Sequence, residues 1–509
     1  MGWKQEFTLR KEYAVMTRKC LALILCLVPA VYGCAPPPPE MQLIIDAAEA
    51  MGGERPISEL ESLLIEGDGR LYRLGQNTSP ANPLPYFSID SYVREIDLVN
   101  NNWRVVERRT SSYLTGNPIN GREQTTGSDG DVAYNITEDG AVSRASAKVA
   151  MERQVDLYDH PAALIKLALT EGTVVGNLRQ EDGQDVVDIT APGGQTYTMY
   201  VDSTTKFPTT IATTGYDTVL GDVTRATHFE DYFETGGFGG FAARLTLPRG
   251  IGSSIDDFTI WELRVDSATN RELDDLSAPG EAQSAPVPEF RADVQVEEVG
   301  DGLWLLAGQS HHSLLVEFDE YLALVEAPQN DVRTLAVIAA ARELQPEKPL
   351  QYVVNTHHHF DHAGGIRAAI SEGLTVVTHE SNAEFYQEIA QRPHTIMPDA
   401  LANNPQELVL ALVANEVYEL GEGRRTLEIA RVRPDAHTDA MLVAYLPRER
   451  TLVEVDLYAP TYRTAPFAAN LLRTISDREW RVENVLPLHG SAFEISVLEE
   501  AAETESTRP

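Results

Sequence analysis

Leu350-Gln-Tyr-Val-Val-Asn355 runs without a break into Thr356-His-His-His-Phe-Asp-His-Ala-Gly-Gly365. The first six residues read as a short buried strand. The next ten place His357, His359, Asp361 and His362 within six positions. His357 and His359 stand two apart where the strand ends, so both can lean toward one point. Ala363-Gly364-Gly365 lets the chain pack closely as a helix begins. Imidazole and carboxylate suit zinc and other borderline divalent ions. Four candidate ligands exceed what one ion needs, so the spacing points to two sites. His358 sits between two ligands and is expected to turn away, as alternate side chains do.

Ten of the twelve histidines fall after residue 292, which places the chemistry in residues 295–500. Arg433-Pro-Asp-Ala-His437-Thr438, Thr451-Leu-Val-Glu-Val-Asp456 and Val485-Leu-Pro-Leu-His489-Gly490 offer one further ligand each. With the H-x-H-x-D-H motif, they resemble the successive stations of the metallo-β-lactamase superfamily. The resemblance implies a four-layer αβ/βα sandwich, with two mixed sheets inside, helices outside and metals at one edge. Strands are expected near 302–307, 314–318, 321–326, 350–355, 374–378, 427–432, 441–446 and 451–455. Helices are expected near 331–344, 363–371, 380–391 and 470–482. It further implies that His357, His359 and His437 hold one metal and that Asp361, His362 and His489 hold the other, with Asp456 between them. The expected cofactors are two divalent ions, zinc first, with iron or manganese as the other candidates.

Such a pair of ions shares one hydroxide, and zinc lowers the pKa of water from ~15.7 to ~7. The expected reaction is hydrolysis, with the shared hydroxide attacking a carbonyl polarised by one metal and Asp361 as the catalytic residue orienting it. His311 and His312, in Gly308-Gln-Ser-His-His-Ser313, and Tyr458 and Arg463, just after Asp456, are the candidate substrate-pocket residues. His160, His228, His379 and His394 read as surface or satisfied core histidines. An aspartate at 456 departs from true β-lactamases. The chain also ends soon after His489, without the helical substrate domain of hydroxyacylglutathione hydrolases, and carries no nuclease-type insertion. An ester, lactone or thioester is the substrate class that elimination leaves. The alternatives are a β-lactamase-like amide hydrolase and a lipid- or hydrophobe-binding lipoprotein whose metal domain is secondary.

Residues 41–270 read as a mainly antiparallel β domain, with short alternating segments between Gly, Asn, Asp and Pro clusters. Helical stretches near 41–52 and 155–170 interrupt it. Its helix-first start, Tyr200-Val-Asp-Ser-Thr-Thr-Lys-Phe-Pro208, and Phe229-Glu-Asp-Tyr-Phe233 leading to Leu247-Pro248 resemble lipoprotein-sorting proteins, which cup acyl chains in a curved sheet. Residues 271–294 read as a linker and 501–509 as a disordered tail.

The N-terminus reads as an address. Basic Met16-Thr17-Arg18-Lys19, an apolar run and Val31-Tyr32-Gly33-Cys34 follow the layout of a secretory signal over residues 1–34, with Met16 the better start. Ending on Gly-Cys, the signal resembles that of bacterial lipoproteins, which implies lipidation at Cys34 and a proline-rich tether at 35–40. The expected location is the bacterial cell envelope, exported and facing the periplasm, with a membrane partner through the lipid. All three cysteines lie in residues 1–34, so the folded body has no disulfide framework and no cysteine metal site. A net charge of −36 repels phosphate backbones and argues against a nucleic-acid partner, leaving a small-molecule substrate.

Overall fold

Short strands linked by tight turns favour pairing between neighbours in sequence, and the N-terminal body is built that way. In the computed structural model, six strands from Ser62–Tyr72 to Val142–Arg144 each pair antiparallel with the next. Seven more, from Val174–Glu181 to Phe258–Thr269, do the same. The first strand of one run and the last of the other then pair, Leu64 opposite Thr269 and Leu71 opposite Trp261. The result is one 13-stranded antiparallel sheet. The residues described are 36–235, 244–270, 273–289, 292–414, 416–421, 423–433 and 437–507. Met16, Cys34 and the signal segment lie outside them. No helix of the described residues is long and apolar enough to cross a membrane.

Helices Pro39–Ala50 and Pro161–Ala168 cover one face of this sheet. Leu43, Ile44, Ala47, Leu164 and Ile165 are buried there against Leu63, Val187, Met199, Val201 and Val265. The expected helix at 155–170 is two helices, Ala147–Asp156 and Pro161–Ala168. Pro161 cannot continue a helix but suits the first position of a new one, and His160 caps it. The expected linker is not a free tether. Its segment 276–285 docks on the edge of the sheet, with Ala278 and Ala282 buried against Tyr134. Asp129 accepts a hydrogen bond from the amide of Ala278 at 2.9 Å.

The C-terminal body has two sheets. One has seven strands, from Gln295–Gly300 to Leu410–Val413; Leu322–Val325, Leu350–Val354, Thr375–His379 and Leu410–Val413 are parallel to one another. The other has six, from Tyr418–Leu420 to Phe493–Glu494. Leu305, Leu314, Val316, Val354 and Val377 of the first sheet meet Leu427, Ile429, Val443, Leu452 and Val485 of the second in one core. Helices Asp331–Leu344, Ile366–Ser371 and Ala383–Gln391 cover the outer face of the first sheet. Ala468–Asp477 and Ile495–Ser506 pack against the shared core on the side of the second. This is the expected αβ/βα sandwich. The tail is a correction: residues 495–506 form a helix whose Leu498 is buried, and Ala501 and Ala502 pack on the core. An acidic composition hid those spaced apolar positions.

From Pro39 onward the chain forms one compact unit. Val219, Leu220 and Val223 of the large sheet join the core beneath the first C-terminal sheet. Asp222 accepts hydrogen bonds from the amides of Thr395 and Ile396.

Candidate metal centre

The strand Leu350–Val354 ends at the edge of the sandwich, and the chain then turns into a short helix, Phe360–Ala363. His357, His359, Asp361 and His362 come from this turn. Asp456 lies just past the strand Thr451–Glu454, with a left-handed φ of 58°. An L-residue holds that conformation at a cost, and such positions gather at functional sites. Buried Glu454 shapes the turn by accepting from the amides of Leu457 and Tyr458 at 3.0 and 3.3 Å. Burial pushes the Glu454 carboxyl up to about 8, so it is neutral at pH 7.

Asp456 is the hub. Its carboxylate lies 2.9 Å from His362 Nε2, 3.0 Å from His489 Nε2, 3.4 Å from His357 Nε2 and 3.5 Å from His437 Nε2. His359 Nδ1 and His437 Nε2 are 2.7 Å apart. Three groups have donor atoms all within 4.8 Å of one another: His357, His359, His437 and Asp456; His311, His362 and His489; and Asp361, His362 and Asp456. All seven expected ligands are therefore brought together.

The outward ring nitrogens are already committed. His359 Nε2 faces the carbonyl of Asn77 at 3.0 Å, His362 Nδ1 the carboxylate of Glu326 at 3.0 Å, and His489 Nδ1 the carbonyl of Ser310 at 2.6 Å. Acceptors on the outside hold protons there and leave lone pairs converging inside. His357 Nε2 is buried with no hydrogen-bond partner and points at Asp456. An orphaned imidazole nitrogen among inward lone pairs and carboxylates is the chemistry of a cation site, and the residues fit one.

Charge follows the same division. Burial, aided by neighbouring imidazoles, lowers the pKa of His357 and takes His359 far below the usual value. Burial lowers His437 to about 4. Burial opposes charge on His362 as well, but Asp456, Asp361 and Glu326 together outweigh it and raise its pKa. His489 is raised against its burial by Asp456. Burial works against ionisation of Asp456, yet His489 and His362 beside it hold it far below the carboxylate range. Asp361 is likewise lowered against its burial, by His362 and His311.

The remaining sites divide. His311 stands at the cluster, its Nε2 3.3 Å from Asp361 Oδ2 and its ring 4.2 Å from that of His489. His312 turns into its own loop, where Nδ1 accepts from the amide of Gly308 at 3.3 Å. Tyr458 packs edge-on against Phe493, 5.6 Å between centroids. Arg463 donates to the carbonyl of Pro118. The tyrosine under the influence of the site is Tyr462. Burial and then the carboxyl groups nearby, that of Asp456 foremost, raise its pKa, keeping the phenol protonated. His358 turns outward to Asn77 Oδ1 at 3.2 Å and toward Phe385. His379 bonds the amide and hydroxyl of Ser381, and His394 lies 3.2 Å from Asp399. His160 accepts from the amide of Ala162, and His228 pairs with Thr210 and Ser254.

Sequence reasoning missed Glu326, Gln76 and Asn77. Glu326 ends the apolar run Leu322–Val325 as a lone acid with φ 76°, and that break in an apolar run was its signal. Its other oxygen accepts from the amide of Thr356 at 2.8 Å. Nothing local distinguishes Gln76 or Asn77.

Among curated proteins none matches this chain. Solved structures similar to it include a metallo-beta-lactamase from Pontibacter korlensis, at 18% identity, covering 42% of this chain and 100% of that one, with a TM-score of 0.34. Another is the metallo-beta-lactamase FIM-1 from Pseudomonas aeruginosa in its mono-zinc form, at 18% identity, 42% and 97% coverage and a TM-score of 0.33. The metallo-beta-lactamase superfamily profile matches residues 306–452, which hold the first five expected ligands in sequence order. The C-terminal sandwich, with its cluster of imidazoles around one aspartate, is thus a domain of the metallo-beta-lactamase superfamily of hydrolases.

Proposed function

We propose that the protein is a dinuclear metallohydrolase, with zinc the preferred ion, that cleaves an ester, lactone or thioester. The observation that supports this most is the inward convergence of five imidazole nitrogens on Asp456, with orphaned His357 Nε2 among them. His357, His359 and His437 would hold one ion, and Asp361, His362 and His489 the other, with Asp456 shared. Bound there, the ions supply Lewis acidity: they acidify water and polarise a carbonyl.

The chain's own residues do the rest. Asp361 is the most open carboxylate of the cluster, its side chain 39% exposed. In this reading it orients the attacking water through a carboxylate oxygen. The Tyr462 phenol, kept protonated by burial and the nearby carboxylates, in the same reading donates a hydrogen bond to the oxygen on which negative charge develops. Glu454, neutral in its burial, adds no charge beneath Asp456.

A hydrolysis panel on zinc-loaded protein tests the reading. Wild type is expected to turn over at least one ester, lactone or thioester. Asp361→Ala is expected to lose at least about 100-fold in kcat, in the range of general acid–base contributions. Full turnover by that variant refutes its role, and a lactam as the preferred substrate refutes the substrate class. Export and lipidation at Cys34 belong to the same proposal. Cys34→Ser is expected to leave the protein unlabelled by palmitate and free of the membrane fraction.

A further inference from the structure

The geometry points to the loop 73–85 of the N-terminal sheet as a built part of the metal centre, with Gln76 and Asn77 acting as positioning residues for its two halves. This loop joins Ser62–Tyr72 to Tyr86–Asp97 and leaves its own sheet to reach the histidine-rich turn. Four consecutive residues of that turn are each met by one hydrogen bond. His358 Nε2 lies 3.2 Å from Asn77 Oδ1, and His359 Nε2 donates to the Asn77 carbonyl at 3.0 Å. The amide of Phe360 donates to the Gly75 carbonyl at 3.2 Å. Gln76 Nε2 donates to Asp361 Oδ1 at 2.8 Å. Near the next ligand, the amide of Asp439 donates to the Thr78 carbonyl at 2.8 Å.

The loop is shaped to do this. Asn77 is buried, and its Nδ2 donates to the carbonyls of Pro80 and Asn82 at 3.0 and 3.2 Å. Gly75 has φ 68°, and a Cβ there would sit 2.2 Å from the ring of Phe360. Only glycine permits that approach.

Each contact has a consequence for a ligand. An acceptor on His359 Nε2 fixes the proton there and turns Nδ1, rather than Nε2, toward His437 and Asp456. A donor on Asp361 Oδ1 orients the carboxylate, with Oδ2 facing His362 and His311. Gln76 therefore serves the Asp361–His362–His489 group, and Asn77 serves the His357–His359–His437 group. Loss of such an outer partner weakens metal binding by about 10–100-fold.

The inference rests on the dinuclear reading, and one experiment separates the two. Full-length wild type, Gln76→Leu and Asn77→Ala are loaded with zinc or cobalt and titrated with chelator, and the metal left per chain is measured. His489→Ala and His437→Ala, each missing one ligand, give cobalt absorption spectra marking loss from either group. Gln76→Leu is expected to release one metal at about 10-fold less chelator, leaving the spectrum of His489→Ala. Asn77→Ala keeps the carbonyl that meets His359 but removes the side-chain bonds to Pro80, Asn82 and His358 that hold it in place. It is expected to release the other metal early, leaving the spectrum of His437→Ala. Wild-type release curves in both variants, or equal loss of both metals in each, overturn the inference. If Asn77→Ala loses its near-UV circular dichroism, Gln76→Leu decides alone, since its side chain is only part-buried. A wild-type chain that takes up neither metal sinks the metallohydrolase reading itself and the inference with it.

Discussion

His160 shows how one side chain ties stability to pH. It caps the helix Pro161–Ala168, and burial lowers its pKa from 6.5 to about 3, with Arg94 adding a smaller push. The folded state thus binds fewer protons than the unfolded chain between those values. Its stabilising contribution is complete above pH 6.5 and is lost as pH falls toward about 3, by up to about 1.4 kcal/mol per pH unit. His160→Asn replaces the capping ring nitrogen with an amide oxygen and removes the titration. Urea unfolding at pH 7 and pH 5 should show a smaller loss for the variant; an equal loss would refute the assignment. Glu326 is the second informative residue. Glu326→Gln removes the anion behind His362 Nδ1 and is expected to weaken one metal about 10-fold in chelator competition. Unchanged release would mean that the buried carboxylate serves the fold alone.

Elements deliver these residues by their ends. The strands Leu322–Val325, Leu350–Val354 and Thr451–Glu454 stop at one edge, and Glu326, His357 and Asp456 follow within a few residues. The helix Asp331–Leu344 does the same work from behind. Arg333 is fully buried and donates to the carbonyls of Asp293, Leu306 and His311, which holds the turn carrying His311. The loop 111–121 of the large sheet holds the segment after Asp456. The carbonyl of Gly116 accepts from the amides of Arg463 and Thr464 at 2.9 and 3.1 Å, and the ring of Tyr462 lies against Gly116. A Cβ on Gly116 would meet that ring at 2.1 Å. Gly116→Ala is expected to displace the phenol and lower kcat about 10-fold or more, while metal content stays at wild type. Loss of metal with unaltered kcat per bound metal would contradict the placement of Tyr462.

At the scale of the molecule, the large sheet and the sandwich are bound through the metal site and through the apolar contact around Leu220. Metal bound only by the native state stabilises all that unfolds with it, by about 2.7 kcal/mol at a hundredfold excess over Kd. Chelation is therefore expected to lower the midpoint of one shared transition in calorimetry. Two separate transitions, only one of them shifted, would show that the sheet unfolds on its own. The net charge of −36 adds self-repulsion across the chain.

The sandwich was legible because its signals are local. Short apolar runs mark strands, a helical period marks the cover, and ligands sit at strand ends in a fixed order. Chain order and residue type, read through the resemblance to the metallo-β-lactamase superfamily, therefore marked His357, His359, Asp361, His362, His437, Asp456 and His489 as the candidate set. Only the tertiary structure decided that the Tyr462 ring packs on Gly116 of the large sheet, and that His311 stands among the ligands. It alone brought Gln76, 285 residues away in sequence, to Asp361. Backbone and side-chain hydrogen bonds across such a separation leave no periodicity or motif behind. They exist only once two surfaces have docked.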